Sequence, residues 1–112
     1  MTVPADLPLN IRTGDTVTLS VAFQYSTGLP LDITGRTYRA QLRTVPEDSE
    51  TLASFTCTVV SAVGGTITVS LPASTTATLP TGPACWDLEE TYGTAVNTLL
   101  AGDVTVVSDV TR

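Results

Sequence analysis

Apolar and polar residues alternate with a period of two along most of this chain, and a period near 3.6 is all but absent. From Thr16 to Tyr25, Val17, Leu19, Val21, Phe23 and Tyr25 fall on one side, with Thr18, Ser20, Ala22 and Gln24 on the other. A strand with one buried and one wet face reads this way. The 22 threonines and 13 valines among 112 residues supply the types that fit a pleated, half-buried surface.

The same alternation recurs along the sequence. Leu7, Leu9 and Ile11 form a short segment with Pro4 and Pro8 close by, which places it at a sheet edge. In Arg36–Thr44, Tyr38, Ala40 and Leu42 point inward while Thr37, Arg39, Gln41 and Arg43 point outward. Leu52–Val60 and Thr66–Leu71 flank Gly64-Gly65 as a hairpin. Ala84, Trp86 and Leu88 face the core in Ala84–Thr91, and Asp87 and Glu89 face solvent. Ala95 opens the last strand, where Gly102 predicts a bulge before Val104 and Val106. Ala73–Leu79 is the one helical candidate, a single turn capped by Ser74. Loops are predicted at Ser26–Pro30 and Val45–Thr51, with Gly35 in a conformation suited to glycine.

These segments predict an all-β fold: an immunoglobulin-like antiparallel β-sandwich of about seven strands with one short helical turn. A single domain spans residues 1–112, with an N-terminal arm over about residues 1–10. Eleven acids against five arginines give a net charge of −6, and lysine and histidine are absent. That balance argues against nucleic acid. No apolar run reaches the roughly 20 residues of a membrane span, and the amino terminus lacks a signal-peptide pattern. No phosphate loop, zinc-type cysteine pair or histidine-based triad is present, so no cofactor, metal or catalytic residue is assigned. Cys57 and Cys85 admit a cross-strand disulfide or two separate thiols. Their opposite parity relative to the core favours thiols.

The candidate contacts are with protein. Arg36, Arg39 and Arg43 are the densest basic group, and an arginine fork suits carboxylates on a partner, although solvated strand decoration is the simpler reading. Val3, Leu7 and Leu9 give the arm an apolar side that is expected to pack on a neighbouring subunit. Removal of residues 1–10 is then expected to leave the domain folded. Tyr92, beside Gly93, is expected at a loop tip and available as an interface contact. Trp86 and Tyr38 have core parity. Asp87, Glu89 and Glu90 lack calcium-loop spacing and read as a solvated strand face.

One ordered set of motifs has a wider likeness. Leu29-Pro30-Leu31-Asp32-Ile33-Thr34-Gly35, leading into Thr37-Tyr38-Arg39-Ala40-Gln41-Leu42-Arg43, resembles small virion proteins of tailed bacteriophages, including the amino-terminal module of baseplate upper proteins. The likeness continues at Gly65–Leu71, Ala73–Leu79, Trp86–Glu89 and Leu99–Val106, and covers most of the chain from Leu19 to Arg112. Trp86 stands where a tyrosine is more usual. The resemblance implies an immunoglobulin-like module without enzymatic activity, located in the virion after assembly in the bacterial cytoplasm. Its partners would be other tail, neck or capsid subunits and further copies of itself. A capsid decoration protein is the alternative within that setting, and a carbohydrate-binding module using Tyr92, Trp86 and acidic loop residues is the alternative outside it.

Overall fold

The computed structural model describes residues 5–25, 27–45 and 51–108. Eight strands and one helical turn follow in the order β1 (Ala5–Asp6), β2 (Leu9–Arg12), β3 (Val17–Ala22), β4 (Thr37–Arg43), β5 (Ala53–Ser61), β6 (Thr66–Leu71), α1 (Ala73–Thr76), β7 (Gly82–Tyr92) and β8 (Ala95–Val107). They form one continuous path, β1-β8-β7-β4-β5-β6-β3, with β2 also on β8. The path curls over its own apolar side, so the fold is all-β with two packed layers. One layer holds β1, β2, β8, β7, β4 and the start of β5; the other holds the rest of β5, β6 and β3.

Strand β5 belongs to both layers. Its Ala53–Phe55 segment pairs with β4, whereas Thr56–Ser61 pairs with β6, and a register shift lies between Val59 and Ser61. The β7–β8 hairpin sets the length of the molecule: thirteen residues of β8 at about 3.3 Å each match the 43 Å long axis.

The alternation dictates the core. Leu42, Phe55, Val69, Leu71, Trp86, Leu88, Val104 and Val106 are buried between the layers, as their parity requires. The Phe55 and Trp86 rings meet at 5.6 Å between centroids and a 53° tilt, a favoured aromatic arrangement. Leu9, Ile11 and the loop residue Ile33 complete the packing. The Gly35 φ of 83° confirms the conformation predicted there.

Four local features depart from the sequence reading. First, β1 and β2 run parallel to β8, whereas the other ladders are antiparallel. The chain leaves β2 by a turn that crosses to β3 in the other layer, so no hairpin fixes the direction of β2 against β8. Second, β8 is continuous through Gly102, and the irregularity lies where Leu88 opposite Leu100 is followed by Glu89 opposite Thr98, which makes Leu99 the extra residue. Gly102 serves close approach instead: a Cβ there would lie 2.3 Å from the Leu7 carbonyl oxygen.

Third, Pro72, not Ser74, occupies the N-cap of α1, and it makes no side-chain cap. The buried Thr76 hydroxyl anchors the turn, donating to the Asp15 carbonyl at 2.7 Å and accepting the Gly14 N–H at 3.1 Å. Fourth, the arm from Ala5 onward is part of the domain. The Leu7 N–H donates to the Ala101 carbonyl at 2.9 Å, and Leu9 is buried in the core. Its removal would therefore strip β1 and the start of β2 from the sheet and take Leu9 out of the core, against the expectation that the arm is separable from the domain. Val3 and residues 46–50 lie outside the described residues.

Candidate functional site

The polar sides of β4, β7 and β8 make a charged outer face. Arg39, Gln41 and Arg43 alternate outward on β4, and Cys85, Asp87 and Glu89 lie beside them on β7. Arg39 Nη2 approaches Glu89 Oε1 at 3.5 Å in an exposed pair, a contact that stabilises by well under 1 kcal/mol. Arg43 Nη2 donates to Gln41 Oε1 at 2.8 Å, and the Cys85 thiol lies 3.4 Å from the Arg43 carbonyl. Gln41, Arg43, Cys85, Asp87 and Asp103 border an open depression of about 440 Å³, with Asp6 at its rim. Burial raises the Asp87 carboxyl above its usual range, and the Glu89 charge adds to the rise against the opposing Arg43 and Arg39.

Arg36 faces elsewhere. It lies one residue before β4 and has even parity, like Tyr38 and Ala40, which separates it from Arg39 and Arg43. Its Nη1 donates to Glu90 Oε1 at 3.0 Å, while the Tyr38 hydroxyl donates to Glu90 Oε2 at 2.7 Å. The guanidinium carbon sits 4.8 Å from the centre of the Tyr92 ring. Tyr38 in turn stacks on Phe23, with centroids 5.4 Å apart and planes 11° from parallel. Glu90 is 6% exposed, so it belongs to this half-buried network and not to a solvated face. The signal was available: Ala84, Trp86, Leu88 and Glu90 share one parity. Arg36 Nε is buried and makes no hydrogen bond.

This network stands at one pole of the molecule. The antiparallel registers bring the end of β3, the start of β4, the β5–β6 turn and the β7–β8 turn to the same end. Seven of the ten large apolar side chains exposed among the described residues lie there: Tyr25, Leu29, Val59, Val60, Val63, Tyr92 and Val96. Tyr92 is the last residue of β7, paired with Ala95 beside the turn and not at its tip, and is 55% exposed; Val63 is 72% exposed.

The remaining candidates are elsewhere. Leu7 is 36% exposed on the arm, whereas Leu9 is inside the core. Trp86 is 3% exposed, which removes it as a stacking platform for a sugar. Cys57 and Cys85 are not joined in a disulfide, and β4 lies between their strands. Burial raises the Cys57 thiol. Among the described residues, no group of three or more histidine, cysteine or acidic side chains is placed to hold a metal ion.

No family model matches the sequence, and no match was found among curated proteins. Solved structures do show the fold. The N-terminal domain of phage TP901-1 ORF48 superposes with a TM-score of 0.53, covering 94% of this chain and 90% of that one at 15% identity. The two chains share an architecture from end to end.

Proposed function

We propose that this protein is a non-enzymatic structural module of a tailed-phage virion, associated with the tail or baseplate and acting through protein–protein contacts. The observation that carries this reading is the domain-wide likeness to the N-terminal domain of phage TP901-1 ORF48. The motifs from Leu29 to Arg43 and from Trp86 to Glu89, read from sequence, point the same way.

The surface supports adhesion. The pole around Tyr92 offers apolar side chains on short turns held by a rigid sheet, so little ordering is needed on binding. Beside it, the outer face of β4 and β7 supplies arginines and carboxylates for orientation. The best-buried carboxylate among the described residues, Glu90, is held by Arg36 and Tyr38, an arrangement suited to structure more than to proton transfer.

The test is location. An epitope-tagged copy, expressed during infection, is traced in purified particles by mass spectrometry and electron microscopy. Label on the tail or baseplate supports the reading, and label on the capsid shell replaces it with a decoration role. Absence from particles overturns both.

A further inference from the structure

The free edge of β3 carries a self-complementary set of backbone groups. Among the described residues, strand β3 pairs with β6 on one side and with no strand on the other. The Phe23 N–H donates to the Gly65 carbonyl at 2.8 Å, continuing the register in which Ala22 faces Thr66. In an antiparallel ladder such bonded pairs recur every second residue. Val21, Leu19 and Val17 therefore direct their N–H and C=O groups to β6, and Thr18, Ser20 and Ala22 direct theirs outward.

Natural edges are blunted by charge, proline or a bulge. The β2 edge follows Pro8 and ends in Arg12, and the exposed start of β8 carries the irregularity at Leu99. β3 has none of these devices. No charged residue occurs from Thr16 to Leu31 in a chain of net charge −6. Thr18, Ser20 and Ala22 are small and exposed. Val17, Leu19 and Val21 are half-buried, and Val17 and Leu19 open onto a groove of about 590 Å³ between β3 and β2.

We propose that β3 is the interface with a second copy of this chain, joined edge to edge about a twofold axis at Ser20. In that register Ser20 faces its own counterpart, and Thr18 faces the partner's Ala22. Every outward N–H and C=O of the strand then gains a partner. Leu19 meets the partner's Val21 on the apolar face, and no like charges oppose. The pairing joins two three-stranded layers into one six-stranded sheet. It supplies a partner within the protein-contact reading above and rests on that reading for its setting alone.

Sedimentation of the full chain at about 100 µM, which populates any dimer of micromolar Kd, reads a doubled mass if the inference holds. Ser20→Pro removes an outward donor and Ser20→Lys opposes two ammonium groups across the axis. Both are expected to sediment as monomers with unchanged circular dichroism. Ser20→Cys is expected to cross-link under mild oxidation, because bonded pairs sit about 5.5 Å apart, within disulfide reach. Thr94→Cys and the wild type serve as controls that do not cross-link. A wild-type monomer, a dimer that survives both Ser20 variants, or a dimer that Ser20→Cys fails to link overturns the proposal. None of these outcomes bears on whether the protein is found in particles.

Discussion

The indole N–H of Trp86 donates to the backbone carbonyl of Leu7 at 2.8 Å, across 79 positions of sequence. This bond fixes the arm over β8 at the position where Gly102 leaves room for it. Trp86→Phe keeps most of the buried ring but leaves the Leu7 carbonyl without its donor. A loss of about 1–2 kcal/mol is expected, read as a lower urea midpoint. Deletion of residues 1–10 is expected to cost more, since it also removes Leu9 from the core.

Gly102→Ala is expected to destabilise by about 2 kcal/mol or more, because backbone and not a flexible side chain occupies the space. Gly93→Ala is the contrast. Nothing lies near its Cβ, and the φ of 63° limits the cost to about 1 kcal/mol. Thermal unfolding of the two variants separates crowding from backbone strain.

Glu90→Gln leaves the Arg36 guanidinium without its counter-charge beneath Tyr92. We expect a loss of about 2 kcal/mol, smaller than for a fully enclosed pair because 23% of the Arg36 side chain stays solvated. Tyr38→Phe, which removes one hydrogen bond to the same carboxylate, is expected to cost about 1 kcal/mol.

Burial raises the Tyr38 phenol well above its ordinary value of 10.0, and the hydrogen bond to Glu90 and that group's charge raise it further. The folded state thus holds this proton more tightly than the unfolded chain. Its contribution is complete below pH 10 and declines as the pH rises beyond it. Urea midpoints measured across the alkaline range are expected to fall less steeply in Tyr38→Phe than in the wild type.

Asp87 follows the same rule in the acid range. Its carboxyl is raised above the ordinary 3.8 by burial and by Glu89, so the folded state favours the protonated form. Stability is lost as the pH rises from below that ordinary value through the raised one. Asp87→Asn is therefore expected to raise the melting temperature at pH 7, and the gain is expected to vanish in acid below about pH 3.

Much of this was legible in the alternation. The inward sets of β4, β6 and β7 are as their parity requires, because a strand buried on one face admits one register only. Glu90 carried the same signal, but its charge suggested solvent where Arg36 and Tyr38 provide a polar niche. Gly102 misled for a different reason. A bulge and a close backbone approach both favour glycine, and only the fold reveals the Leu7 carbonyl above it. The parallel docking of β2 was not legible at all, since four residues carry no mark of direction.

Strand β5 gives its first residues to one layer and its remainder to the other. Neither half of the domain is then a complete unit that can melt while its companion persists. Loss of the hydrogen bonds at Ala53–Phe55 detaches the strand on which Thr56–Ser61 depend. Heat or pulling force should accordingly meet a single all-or-none transition, with no partly opened form between the folded and unfolded chain.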